Sequence, residues 1–414
     1  MKVFLQPALN DANLDATQTN NQRQLAISIS ALAQDIDRSV PLNLCLILDH
    51  SGSMKGRSLE TVKKAAQRLV DRLSPGDRLS VVVFDHRAKV LVPNQIIDNP
   101  DRIKQQIDRL SAEGGTSIDE GLRRGIEEMA KGKKETISQA FLLTDGENEH
   151  GDNNRCLKFA EMAATYNLTL NTLGFGDHWN QDVLERIADA AGGKLSYIEQ
   201  PSQAENEFAT LFNRIQAVGL TNAYLLLSLM PKVRLAELKP IAQVAPDTIE
   251  LPVQQEADGR FSVRLGDLMK DVQRVVLANL YVGQLPEGTQ TIASVQIRYD
   301  DPAVNQTNLL SETVSVEAQV LRHFQPAGNP QVQPYILALA KYRQTQLAEA
   351  KLQQGDRAGA ATMLQTAAKT ALQMGDKGAA TVLQTSATRL QAGEDLSEAD
   401  RKKTRIVSKT VLND

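Results

Sequence analysis

Cysteine is nearly absent. The chain has 414 residues and two thiols, Cys45 and Cys156, in no metal-binding or redox spacing. That excludes a disulfide framework and a cysteine-ligated metal, and it fits two reduced, structural thiols in a cytoplasmic setting. A basic excess is also missing: the formal net charge is −4, so the counterion-release term that drives nucleic-acid binding is not supplied and no nucleic acid is expected as partner. No apolar run approaches the roughly 18–20 residues that span a bilayer, so no membrane span is expected. The start, Met1-Lys-Val-Phe-Leu-Gln-Pro7, breaks off too soon for a secretory signal. Lys55-Gly-Arg-Ser58 lacks the Gly-x-x-x-x-Gly-Lys-Ser/Thr order of a phosphate loop, which argues against nucleotide binding.

What is present centres on Leu42-Asn-Leu-Cys-Leu-Ile-Leu-Asp49, followed by His50-Ser51-Gly52-Ser53. A short run that is apolar on both faces reads as a buried parallel strand. Gly52 permits the tight turn that lets Asp49, Ser51 and Ser53 aim oxygens at one point. A carboxylate with two hydroxyls is an oxygen-only set suited to a hard divalent cation.

Around this run, strands and helices alternate from Pro41 to about Val218. Strands are expected at Leu79–Asp85, Ala88–Val92, Ala140–Thr144, Leu168–Gly174 and Lys194–Ile198, with helices between them and a last helix over Ser202–Val218. Such alternation predicts a doubly wound, mostly parallel, Rossmann-like α/β sheet. On either side the period is two. Leu25, Ile27 and Ile29 alternate with Ala26 and Ser28, and Val314, Val316, Ala318 and Val320 with Ser315, Glu317 and Gln319. The early strands have no local partner, so the α/β domain (41–218) is expected to interrupt a β-sandwich made of 1–40 and 219–326, with the two ends of the insertion close together. From Pro330 the chain is alanine-rich and helical. The near repeats beginning Gly355-Asp356 and Gly375-Asp376 predict a helical hairpin or bundle over 330–395, each Gly-Asp marking a stop and a restart. The basic, hydroxyl-rich tail 396–414 is expected to be disordered. Thr404, with Ser408 and Thr410, follows basic residues and is a possible phosphoacceptor.

Three separate stretches fall at strand or helix ends: Asp49-His-Ser51-Gly-Ser53, Gly114-Gly-Thr116-Ser117 and Thr144-Asp145-Gly146. In the order 3-2-1-4-5-6 the strands ending at Asp49 and Asp145 are neighbours at the topological switch point. With these residues the stretch from Pro41 to Gln216 resembles the von Willebrand factor A (VWA) domain family, including Thr172-Leu-Gly-Phe-Gly176 and Ala190-Ala-Gly-Gly193. That family's metal-ion-dependent adhesion site (MIDAS) matches at Asp49, Ser51, Ser53, Thr116 and Asp145. The resemblance implies one Mg²⁺, alternatively Ca²⁺ or Mn²⁺, bound directly by the serines and variably by Thr116 and the aspartates through water. It also implies a coordination position left for an acidic residue of a partner protein, and movement of the last domain helix when that ligand binds.

These features point to a non-enzymatic, divalent-metal-dependent protein-interaction module of bacterial style. An adaptor for a separate AAA+ ATPase is the alternative from another class. A metal-dependent phosphohydrolase would need a nucleophile or base beside the metal, and none stands in these loops. His50, His86, His150 and His178 all follow strand ends and are expected as rim residues, their spacing matching no familiar zinc site. Glu147, Glu149 and Asp152 form an acidic patch, read either as a solvated loop or as a surface selecting basic neighbours of the incoming carboxylate. Trp179, the single tryptophan, is either an exposed anchor on that rim or partly buried.

Overall fold

In the computed structural model, which describes residues 2–32 and 40–410, the run Leu42–Asp49 lies inside a six-stranded sheet with all eight residues buried. Its neighbours are both parallel, Arg78–Phe84 on one side and Ile137–Thr144 on the other. The antiparallel strand Ala88–Ile96 closes the first side, and Thr169–Phe175 and Leu195–Ile198 extend the second. In order of appearance the strands run 3-2-1-4-5-6.

Helices cover both faces, which is why the central strands read as unbroken apolar runs. The helices Arg57–Arg72 and Pro201–Gln216 pack one face through Leu59, Val62, Leu69, Phe208 and Phe212. The helices Ile118–Lys131, Asn153–Thr165 and Gln181–Ala191 pack the other through Leu122, Cys156, Ala160, Leu184 and Ile187. Both cysteines are free and buried. Burial pushes each thiol up to about 12, too high for thiolate chemistry near neutrality.

The flanking strands form two further sheets. Asn20–Leu32 pairs with Lys2–Leu9 and, on its other edge, with the distant strand Arg274–Gly283, placing Ile29 beside Arg274. In the facing sheet, Val218–Leu229 runs between Phe261–Met269 and Gly288–Asp301. Alternate residues of the two sheets meet in one core: Leu25, Ile27, Val276 and Leu280 against Leu225, Val263, Val295 and Ile297. The points where the α/β domain leaves and rejoins the sandwich adjoin. Ala31 bridges Lys270, whose N–H donates to the Ala217 carbonyl at 2.7 Å. One buried strand, Ile241–Ala245, goes unread in the sequence because Pro240 and Pro246 give it turn signals at both ends.

Four helices complete the chain: Gln333–Gln353, Arg357–Gln373, Lys377–Gln391 and Glu398–Lys409. Gly355 and Gly375 adopt φ of +80° and +81°, a conformation that favours glycine and ends a helix. The next side chains, Asp356 and Asp376, restart it by accepting from Gly359 N–H and Ala379 N–H at 2.8 and 2.9 Å. Alanines such as Ala360, Ala367, Ala371 and Ala387 let these helices approach closely, and Val332, Leu339 and Tyr342 seat the first of them on the sandwich.

The expectation of a disordered tail over 396–414 is corrected here. Residues 398–409 form a helix whose N-cap, Ser397, accepts from Asp400 N–H at 3.1 Å, while 411–414 lie outside the described residues. The basic residues that read as a solvated tail face an acidic partner, the helix Gln181–Ala191, and the tail's own composition does not reveal that partner. Among the described residues no helix is long and apolar enough to cross a membrane.

Candidate metal centre

Adjacent parallel strands bring Asp49 and Asp145 to one end of the sheet, since Leu48 pairs with Leu143 in register. Asp49 is fully buried. One carboxylate oxygen accepts from Ser51 N–H at 2.8 Å, and the other from the Thr144 hydroxyl at 2.5 Å. These two donors orient the group. Ser51 Oγ and Ser53 Oγ lie 3.0 Å apart, and the Ser53 hydroxyl donates to Asp145 Oδ1 at 2.6 Å.

Thr116 arrives from a loop tied to both others. Gly52 N–H donates to the Gly114 carbonyl at 2.9 Å, and His150 N–H to the Thr116 carbonyl at 2.9 Å. A methyl group added at Gly146 would sit 3.3 Å from Thr116 Oγ1 and 3.5 Å from Ser53 Oγ, so both hydroxyls converge on a space that glycine keeps open. Asp49, Ser51 and Thr116 are buried, Asp145 is half-buried and Ser53 is exposed. The cluster therefore has a closed floor and an open side.

Electrostatically the site is unbalanced. Burial pushes the Asp49 carboxyl up to about 6, against the hydrogen bonds from Ser51 and Thr144 and with the Asp145 charge adding to the rise. Burial also raises Asp145, opposed by the Ser53 hydroxyl and the nearby His178 imidazole. Among the described residues neither carboxylate has a lysine or arginine partner. No three His, Cys, Asp or Glu side chains gather into a cluster able to hold a metal among those residues either.

The rim residues are spread around this end. His86, His150, His178 and Glu147 are exposed, as are Glu149 and Asp152. His50 is half-buried, with Nδ1 3.0 Å from the Ser111 carbonyl. His86 Nδ1 lies 3.3 Å from Asp85 Oδ1. The reading of Trp179 as an exposed rim anchor is corrected: it is 2 % exposed, its ring filling the space a side chain at Gly174 would need and its Nε1–H donating to the Gly176 carbonyl at 2.7 Å. Thr404 is equally unsuited to modification in the folded chain, being buried with its hydroxyl 2.9 Å from that of Ser386. Thr144 and Asn148 are supporting residues that sequence reasoning did not assign. Asn148 Oδ1 accepts from Ile118 N–H at 2.7 Å, joining the Asp145 loop to the helix behind Thr116. The hydroxyl immediately before Asp145 was the available signal for the first, and for the second there was none.

Fold and motif placement define the class: this is a VWA-domain protein, and the von Willebrand factor type A domain family matches residues 43–212. Residues 330–414 match the Sll0103-like, C-terminal alpha-helical domain. Over 412 residues the chain is 62% identical to protein sll0103 of Synechocystis sp. (strain ATCC 27184 / PCC 6803 / Kazusa), spanning 100% of this chain and 98% of that one. The chain belongs to the Sll0103-like family of VWA-domain proteins.

Two solved structures share its whole architecture. The von Willebrand factor type A protein from Catenulispora acidiphila covers 99% of this chain and 97% of its own, with a TM-score of 0.82 and 18% identity. The ArnB paralog VWA2 from Sulfolobus acidocaldarius covers 99% and 98%, with a TM-score of 0.60 and 17% identity. These likenesses concern the fold alone. They show that an α/β domain with further β-sheets and a C-terminal helical unit is a recurring assembly.

Proposed function

We propose that this protein is a non-enzymatic, cytoplasmic interaction module that captures a partner protein through a divalent cation. Asp49, Ser51, Ser53, Thr116 and Asp145 would hold the ion, Mg²⁺ or alternatively Ca²⁺ or Mn²⁺, and an acidic residue of the partner would complete its shell. The observation that carries this reading is the pair of buried or half-buried carboxylates, joined through Ser51 and Ser53 and without a lysine or arginine partner among the described residues. Uncompensated negative charge in such a setting is costly, and a hard cation is the counter-charge that an all-oxygen donor set selects. When bound, the ion would supply an electrophilic position for the incoming carboxylate. Asp49 is oriented by Ser51 N–H and Thr144, and the exposed side at Ser53 is where the ligand would approach.

The test is affinity retention from a lysate of a cell that makes the protein, with wild type and Asp49→Ala as baits, with Mg²⁺ or with chelator. Partners held by wild type and lost both with chelator and with Asp49→Ala are expected. An identical set of retained proteins under all conditions would refute the reading. An AAA+ ATPase among the retained proteins would place the module as an adaptor.

A further inference from the structure

The strand Thr169–Phe175 lies beside the one that ends at Asp145, with Gly174 opposite Thr144. The loop that follows it, Gly176 to Asn180, therefore stands next to the metal centre and carries His178, whose imidazole acts on the Asp145 charge. The C-terminal helix holds this loop. Lys402 is 1 % exposed; its Nζ donates to the Asp177 carbonyl and lies 4.4 Å from the Trp179 ring centroid. Among the described residues no carboxylate is within ion-pairing distance of Lys402. Its close partners are one carbonyl and one ring face of that loop, with longer-range attraction from Glu398 on its own helix and from Asp177 and Glu147. The ammonium therefore loses its direct contacts if the loop moves away.

The rest of the helix is fixed at both sides. Toward the α/β domain, Arg405 pairs with Glu185 at 2.5 Å and with Asp182, Lys409 with Glu185 and Asp189 at 2.7 and 2.8 Å, and Lys403 with Glu199 at 2.8 Å. Toward the helical unit, the fully buried Lys341 donates to the Val407 and Thr410 carbonyls, both at 2.9 Å. Beside the loop, a cavity of about 310 Å³ is lined by Glu147, Trp179, Leu352, Glu398, Arg401 and Arg405 among others. Lys402 thus holds the loop beside a gap that runs along the helix from Glu398 to Arg405.

We propose that the C-terminal helix regulates the metal centre: Lys402 positions the Asp177–Trp179 loop against Asp145, so cation binding and docking of the helix's first turns are linked. The inference rests on the metal-site reading above. Linkage is reciprocal, so it can be read from either end, and Trp179 is an intrinsic probe at the joint.

The experiment uses the full chain. Mg²⁺ uptake is measured by calorimetry for wild type, Lys402→Met and Asp145→Asn. Amide hydrogen exchange over 398–409 and Trp179 emission are then followed with and without Mg²⁺ in wild type, which needs no variant to fold. The expected result is Mg²⁺-dependent exchange over 398–403 and altered emission in wild type, both lost in Asp145→Asn, with Mg²⁺ affinity changed about fivefold or more in Lys402→Met. Mg²⁺ uptake by wild type with unchanged exchange and emission would overturn the coupling and leave the metal site standing. No uptake by wild type would overturn both.

Discussion

Two groups of buried carboxylates in this molecule are treated in opposite ways. At the sheet end, Asp49 and Asp145 receive hydroxyl and amide hydrogen bonds but, among the described residues, no lysine or arginine, with only the His178 imidazole near Asp145. Along the C-terminal helix, Glu185 is as well buried as a core residue, yet it is met by Arg405 at 2.5 Å and Lys409 at 2.7 Å. Asp247 receives Lys194 and Arg214, both at 3.4 Å. The fold meets some buried acids with cations and others with hydrogen bonds alone, as at Asp77, which accepts from Leu42 N–H and Ser74 N–H at 2.8 and 2.7 Å. What sets Asp49 and Asp145 apart is that two carboxylates share one hydroxyl network at an open sheet end, which is why their counter-charge is proposed to come from outside.

The contrast can be broken at its structural side first, where the effect is largest. Arg405→Ala removes the guanidinium that pairs with Glu185 and, at 3.2 Å, with Glu349. Glu185 keeps Lys409 at 2.7 Å, so the loss should be about 3 kcal/mol, the low end of what removing one partner of a buried pair costs. Urea denaturation of the full chain should show that loss, and a change within about 0.5 kcal/mol would mean that the helix is not held by these charges.

At the metal side the sign reverses. Mg²⁺ at a hundred times its dissociation constant should stabilise wild type by about 2.7 kcal/mol and Asp49→Asn not at all. The ion-free variant should be no less stable than wild type by more than about 1.5 kcal/mol, since the amide retains an acceptor. Thermal unfolding with and without Mg²⁺ reads both. Equal shifts in the two proteins would remove Asp49 from the site.

Smaller still is Thr404→Ala, which deletes one buried hydroxyl contact with Ser386 and should cost about 1 kcal/mol. No measurable loss would mean that this part of the C-terminal helix is not packed as described. The least effect expected is an acid slope from Asp247. Burial raises its carboxyl, but Lys194 and Arg214 outweigh burial and hold it below the ordinary value. Its contribution is therefore present above the unfolded-state value and lost as pH falls through the folded one. Asp247→Asn should flatten part of the acid limb of a stability–pH curve, and an unchanged limb would show that the two cations do not govern this group.

The α/β domain was legible because its signals are local. An apolar run ending at Asp49, glycine-rich turns and helical stripes each declare an element, and the switch-point rule then puts Asp49 beside Asp145 without further information. The sandwich was legible as alternation in need of a partner at Leu25, Ile27 and Ile29, but the expectation of no local partner is corrected: Lys2–Leu9 takes one edge of that strand and the distant Arg274–Gly283 the other. The C-terminal helix was not legible, because its order depends on charges supplied by Asp182, Glu185 and Asp189, far away in the chain. Of the two readings of Trp179 the exposed anchor falls and burial stands, which its rim-like stretch alone could not decide: Gly174 leaves a hollow beneath the ring and Lys402 closes it from above. Patterns read within one stretch survive, and contacts between stretches decide the remainder.

The central claim, that two uncompensated carboxylates and three hydroxyls make a hard-cation site, is tested most directly by calorimetric titration of Mg²⁺ into the ion-free full chain and into Ser53→Ala. The expected result is uptake of a single ion by wild type and affinity at least about tenfold weaker in the variant, a difference of about 1.4 kcal/mol. Absence of uptake by wild type, or equal affinity in both, would contradict it.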